Sequence, residues 1–162
     1  MLKRALLTVA ALTLPAAPAS AQMREAALPE IFESYNDCFA ATESGAISIA
    51  SLESNGWARA SMSDGDGEKV EGGPIIYGHT ERAPLIILNE TEGAGVCMVN
   101  ARIKSFKVFE EFKAAFGDRL PKPDDEGSIT FFADGQAVQM APTGSREAPA
   151  LRVAVLTPRK SS

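Results

Sequence analysis

A strand followed directly by a helix, between Gly95 and Leu120, constrains this chain more than any other feature. From Val96 to Lys104 the side chains alternate between two faces, because successive residues of a strand point to opposite sides. One face is small and apolar, and the other becomes more polar along the strand. This alternation predicts a sheet with one buried side and one partly solvated side. The apolar face consists of Cys97, Val99, Ala101 and Ile103.

The predicted helix that follows, Phe106–Phe116, carries four phenylalanines at spacings of three and four residues. Ser105 lies where an N-cap residue belongs, and we expect its hydroxyl to accept a first-turn amide. Gly117 ends the helix, because glycine adopts positive φ easily. The apolar stripe predicts packing on the protein's own sheet, and docking on a partner helix is the alternative. The four residues are Phe106, Phe109, Phe112 and Phe116.

The first 21 residues have the composition of a signal peptide. Lys3 and Arg4 precede an apolar run from Ala5 to Ala17, and residues 19–21 match a small-x-small cleavage site. We therefore predict cleavage near Ala21 and a periplasmic or secreted location. The apolar run is too short to span a bilayer comfortably, so no stable membrane insertion is expected, and an uncleaved anchor is the alternative.

The rest of the chain suits one domain, predicted over residues 22–158, with a flexible tail at 159–162. All 21 acidic residues follow the predicted signal, whereas two of the 16 basic residues lie inside it, so the mature net charge is −7. An acidic chain without a basic cluster argues against binding to nucleic acid or to anionic membrane surfaces.

The two cysteines, Cys38 and Cys97, predict one disulfide, because an exported protein matures in an oxidising compartment. Each cysteine falls on the apolar face of its predicted element. In the chain-entropy model a bridge over this separation stabilises the fold by about 4 kcal/mol. Two free buried thiols are the alternative.

The other elements follow from hydrophobic periodicity and from turn residues. The run Leu85–Leu88 is apolar throughout, which predicts a strand buried on both faces. Asp134-Gly135 favours a type I′ turn between two strands. Leu151 to Leu156 carries few charges, so we place it centrally in the sheet, and edge-to-edge dimerisation through it is the alternative. The remaining predictions are helices Pro29–Thr42 and Ala46–Ser54, and strands Trp57–Met62, Ile75–His79, Ser128–Ala133 and Gln136–Ala141.

These elements predict an α+β fold. It is a single domain with a mainly antiparallel sheet, helices packed largely on one face, and one disulfide. All eight phenylalanines fall in the first helix, the helix after the central strand or the strand with Phe131 and Phe132, which predicts a core between helices and sheet.

Three residues are candidates for function: His79, Glu81 and Trp57. His79 is the only histidine, and Glu81 flanks the same predicted strand end. Trp57, the only tryptophan, follows Asn55-Gly56, so a structural role in closing a helix end against Leu52 is the alternative.

No metal site or cofactor site is expected from the motifs. The single histidine and the two cysteines are not spaced as a zinc-ligand pair. Gly93-Ala94-Gly95 precedes a strand and lacks the third glycine of a dinucleotide loop. The acidic run Asp64–Glu68 departs from a calcium loop at two positions, so we interpret it as a hairpin loop, with an irregular calcium site as the alternative.

Two functions from different classes remain. The first is an exported, non-catalytic binding or accessory protein for an unknown protein or small-molecule ligand, with an apolar patch on the Met62, Met98 and Met140 faces. The second is a small exported hydrolase that uses His79 or paired carboxylates, for which Glu71, Glu81 and Glu90 are the candidates.

Overall fold

The computed structural model describes residues 23–60, 74–91 and 94–158, and omits side-chain detail for residues 90, 91 and 94. The predicted signal peptide, the acidic run Asp64–Glu68, Glu71 and the predicted tail lie outside the described residues. The described elements are helices α1 (Leu28–Thr42), α2 (Ile49–Ser54) and α3 (Phe106–Ala114), a 3₁₀ turn (Gly117–Arg119), and strands β1 (Trp57–Arg59), β2 (Ile75–His79), β3 (Leu85–Thr91), β4 (Ala94–Arg102), β5 (Ile129–Ala133), β6 (Gln136–Gly144) and β7 (Pro149–Leu156).

The seven strands form one antiparallel sheet in the order β1-β2-β3-β4-β7-β6-β5. Helix α3 carries the chain from central β4 to β5 at one edge. Strand β7 lies between β4 and β6, which confirms its predicted central position and pairs its free backbone groups on both sides. The predicted α+β class is therefore confirmed, with the order and type of its main elements.

The core lies between the helices and one face of the sheet. Cys97, Val99 and Ala101 on β4 are fully buried, and Val153 and Val155 on β7 continue the same layer. The opposite face, which carries Val96, Met98 and Asn100, is half-exposed. The alternation predicted for the central strand is confirmed.

The disulfide between Cys38 and Cys97 joins α1 to the middle of β4, as predicted. The two Cα atoms are 5.5 Å apart, and both side chains are fully buried. Helix α1 therefore lies across the centre of the sheet, and its aromatic residues lie near the end of α3.

Four details of the predictions are wrong. Ser105 makes no side-chain cap; its carbonyl accepts the Val108 N–H instead, and its exposed position leaves first-turn amides open to water. Leu85 and Ile87 are half-exposed, so β3 is buried on one face only.

The predicted methionine patch does not form. Met140 is fully buried on the helix side of the sheet, Met98 lies on the other face, and Met62 lies outside the described residues.

The fourth error concerns the aromatic strand. Phe131 packs on Phe116 of the helical layer with ring centroids 5.4 Å apart, but Phe132 is 77% exposed. Consecutive residues of a strand point to opposite faces, so only one of the two can enter the core.

The β5–β6 turn has the predicted type I′ geometry. Asp134 has a φ of 47° and Gly135 a φ of 84°, and both central residues of this turn require positive φ. Behind the turn, the buried Gln136 side chain donates to the Thr42 hydroxyl at 2.6 Å. This hydrogen bond ties the edge hairpin to the end of α1.

Candidate functional site

Trp57 and His79 meet in a polar cluster with Asp37 and Arg82, which we call the indole cluster. Trp57 and His79 are cross-strand partners on β1 and β2, with ring centroids 5.3 Å apart. The buried indole N–H donates to the Asp37 carboxylate at 2.9 Å, and Arg82 donates to the same oxygen. The Arg82 guanidinium also lies 5.9 Å from the centre of the indole ring. These bonds fix the β2–β3 turn on α1.

His79 has both ring nitrogens engaged by backbone groups. The Glu81 N–H donates to Nδ1 at 3.1 Å, so Nδ1 carries no proton. The proton then resides on Nε2, which donates to the Asn55 carbonyl at 3.0 Å. A general base needs a lone pair free to face a substrate, and here an amide occupies that lone pair. The His79 ring therefore has a structural role: its hydrogen bonds join the end of β2 to the end of α2.

The three sequence candidates therefore meet in one place. Glu81 contributes its backbone amide, while its side chain is exposed. Trp57 is 2% exposed and lies in the same core as Leu52, in line with the structural alternative. Gly56, with a φ of 87°, precedes it, and its amide donates to the Glu53 carbonyl at the end of α2.

A second place has the shape of a binding site: an open cavity of about 380 Å³ between β5 and the end of α3. We call it the aromatic groove. Its walls come from α1, the end of α3, the 3₁₀ turn and the edge hairpin. It is lined by Tyr35, Phe116, Arg119, Leu120, Phe131, Phe132, Ala133 and Asp134.

Phe116 forms the aromatic centre of this groove. Its ring lies 5.4 Å from that of Phe131, 5.9 Å from that of Tyr35 and 5.4 Å from that of Phe112. Phe112 is fully buried, so it anchors the half-buried rings in the core. Pairs of rings at such distances are favourable, and they present a stiff apolar surface.

Two charged residues and one phenol give the groove a polar side. Arg119 is exposed, and its Nε donates to the Phe116 carbonyl at 3.3 Å. This bond holds the Arg119 side chain close to the turn that follows α3. Burial raises the pKa of the Tyr35 phenol, and the negative charge of Asp134 raises this pKa further. The phenol therefore stays protonated at neutral pH and can donate a hydrogen bond to a ligand.

A smaller cavity of about 260 Å³ continues the groove beyond Leu120. Leu120 lines both cavities. Ile129, the first residue of β5, lines the smaller one, while Phe131 to Asp134 line the larger one. The two cavities thus follow β5 along its length. The smaller is also bordered by an ion pair between Lys113 and Glu110, with 2.6 Å between the charged atoms.

The aromatic groove was not predicted from the sequence. Tyr35, Phe116 and Leu120 are far apart in the sequence, and only the packing of α1, α3 and β5 brings them together. One signal was present: adjacent Phe131 and Phe132 in a two-faced strand require that one ring be exposed.

Within the described ranges, no three side chains of histidine, cysteine, aspartate or glutamate are grouped so that they could hold a metal ion. Among the described helices, none has both the length and the hydropathy of a membrane-spanning segment.

Comparisons with protein-family models, with curated proteins and with solved structures found no match.

Proposed function

We propose that this chain is an exported, non-catalytic binding protein whose aromatic groove takes an apolar or aromatic group of its ligand. The observation that carries this proposal is an open cavity of about 380 Å³ that is lined by the rings of Tyr35, Phe116 and Phe131. Binding sites for small molecules are concave and lined mainly by apolar and aromatic side chains with a few polar groups.

A binding role also agrees with the state of the titratable groups. The lone pair of His79 Nδ1 is used by a backbone amide, and the raised pKa of Tyr35 keeps its phenol protonated at neutral pH, so it does not accept a proton there. The groove offers a hydrogen-bond donor at Tyr35, a cation at Arg119 and an anion at Asp134. These groups can orient a ligand without a chemical step.

The export part of the proposal rests on the signal-like composition of residues 1–21 and on the Cys38–Cys97 disulfide. Expression of the full chain in a bacterial host tests it through the intact mass of the product. We expect a periplasmic chain that begins at Gln22 and is two hydrogens lighter than its reduced form. A full-length chain in the cytoplasm would overturn the export proposal.

The neutral fluorophore N-phenyl-1-naphthylamine, whose emission rises in apolar surroundings, tests the groove. The variant Ala133→Phe places a ring inside the groove, so we expect at least about a tenfold loss of binding, because displaced apolar contact area is worth more than about 1.4 kcal/mol. Ala137→Phe is the matched control: Ala137 lies opposite Phe132 on the neighbouring strand and does not line the groove. Equal binding by both variants would contradict the proposal.

A further inference from the structure

We propose that β5 binds an extended, basic segment of a partner protein as an added strand, with alternate apolar side chains of that segment in the two cavities along β5. This inference rests on the proposed function, since the aromatic groove supplies the larger of the two cavities. It adds a backbone-mediated mode of binding and a charge class for the partner.

Strand β5 has a free side. It is the last strand of the sheet order, and among the described residues nothing pairs with it beyond β6. The two-residue turn makes Ala133 and Gln136 a hydrogen-bonded pair, and such pairs alternate along an antiparallel ladder. The N–H and C=O groups of Thr130 and Phe132 therefore point outward, away from β6. An added strand can form up to four hydrogen bonds with them.

This edge carries none of the usual protection against strand addition. Ile129–Ala133 contains no proline and no charged residue, and Thr130 and Phe132 are exposed. The described part of the opposite edge, β1, has three residues and includes Arg59. The two edges differ in length and in charge, and β5 is the better template for a strand.

The two cavities are lined by alternate residues of β5, Ile129 in the smaller and Phe131 in the larger, and the side chains of an added strand alternate in the same way. An added strand lies about 4.8 Å beyond β5, and every second side chain points to the face that carries Ile129 and Phe131. Side chains two residues apart are separated by about 6.8 Å along the strand. Ile129 lines the smaller cavity, Phe131 and Ala133 line the larger one, and Leu120 lines both. Each can take one side chain.

The charge around β5 favours a basic partner. Between Gly117 and Gln136 there are five acidic residues and two basic ones, a net charge of −3. Antiparallel pairing of β5 with a second copy would bring Asp134 of each chain toward the acidic residues that precede β5 in the other, namely Asp124, Asp125 and Glu126. Like charges that face each other across an interface weaken association. A partner strand with lysine or arginine at its ends reverses this effect.

The test uses a ten-residue peptide with two lysines at each end and alternating leucine and threonine between them, titrated into the mature, disulfide-bonded protein. A peptide methylated on the backbone nitrogens that would donate to β5 keeps the side chains and loses those hydrogen bonds. Because two donors are lost, we expect about tenfold weaker binding or more. A peptide with glutamates in place of the lysines should also bind at least about tenfold more weakly at low salt.

Two protein variants distinguish backbone hydrogen bonding at β5 from binding in the aromatic groove. Thr130→Pro removes one outward N–H and is tolerated at an edge position, whereas Thr130→Val keeps that N–H. We expect Thr130→Pro to weaken peptide binding about fivefold or more and Thr130→Val to leave it unchanged. Both variants should bind N-phenyl-1-naphthylamine like the parent protein.

Each alternative outcome has a distinct meaning. Equal affinity for the methylated peptide, or no effect of Thr130→Pro, would overturn strand addition while leaving the groove intact. Failure of the parent protein to bind the fluorophore in the groove would overturn the proposed function itself. A dimer in sedimentation that Thr130→Pro abolishes would replace the partner segment with a second copy of the chain.

Discussion

The indole N–H of Trp57 donates to the carboxylate of Asp37, with 2.9 Å between nitrogen and oxygen. This bond joins the first strand of the sheet to α1 over a separation of 20 residues. Arg82 donates to the same carboxylate oxygen from the β2–β3 turn. One acidic side chain thus holds three segments of the chain together.

Replacement of Asp37 by alanine leaves a buried indole N–H without its acceptor and Arg82 with one ion-pair partner fewer. We expect Asp37→Ala to lower the free energy of unfolding by about 1–3 kcal/mol. Glu33→Ala is the control, since the Glu33 side chain is 59% exposed and its ion pair with Arg82 is worth less than about 1 kcal/mol. Urea unfolding followed by circular dichroism measures the free energy of unfolding of both variants. Equal decreases would contradict the role of Asp37 as the shared acceptor for Trp57 and Arg82.

Gly56 faces two constraints at once. Its φ of 87° disfavours any other residue, and a Cβ atom there would lie 2.7 Å from Nε2 of His79. Gly135 has a similar φ of 84° with no atom within 4 Å of its Cβ position. We expect Gly135→Ala to cost about 1 kcal/mol and Gly56→Ala at least about 1 kcal/mol more, because His79 must then leave the Asn55 carbonyl. Thermal unfolding at equal pH compares them, and identical costs would contradict the packing role of His79.

The disulfide contributes through the length of chain that it closes. Its cysteines are 59 positions apart, and removal of both in a Cys38→Ala, Cys97→Ala variant should lower the unfolding free energy by about 4 kcal/mol. Guanidinium unfolding without reductant measures the loss. A reductant should destabilise the parent protein by a similar amount and leave the variant unchanged. If the reductant also lowered the free energy of unfolding of the variant, its effect on the parent protein could not be assigned to the disulfide.

Tyr35 makes stability fall at alkaline pH. Burial, and to a smaller extent the charge of Asp134, raises the pKa of Tyr35 above the ordinary value of 10.0. As the pH rises through 10.0, the unfolded chain loses this proton before the folded chain does. The unfolded state then binds fewer protons, so the unfolding free energy decreases until the folded phenol also ionises. Tyr35→Phe should flatten this decrease in urea titrations across that pH range, and an unchanged slope would contradict the assignment.

The order of elements could be predicted because it depends on local patterns. The alternation from Val96 to Lys104, the phenylalanine spacing of α3 and the Asp134-Gly135 turn each act within a few residues. The disulfide could also be predicted, because the chain has two cysteines and each lies on an apolar face. The central place of β7 followed from the small number of charges that it carries.

The candidate site could not be predicted, because it depends on which distant elements pack together. Tyr35 has the periodicity of a core residue, and nothing in the sequence near it indicates Phe116 or Leu120 as a neighbour. The role of Arg82 depends on the β2–β3 turn reaching α1, which periodicity does not reveal. The exposure of Phe132 could have been predicted, because strand alternation alone places its side chain on the face opposite Phe131.

Chemical-shift mapping by NMR decides whether the aromatic groove binds a ligand, because it locates the bound molecule on a ¹⁵N-labelled protein. We expect N-phenyl-1-naphthylamine to perturb the amides of Phe116, Arg119 and the segment Phe131–Asp134, and to leave the amides of Trp57 and His79 unchanged. Perturbations confined to the open face of the sheet around Ile87 and Met98, or to the indole cluster, would contradict a binding function for the aromatic groove.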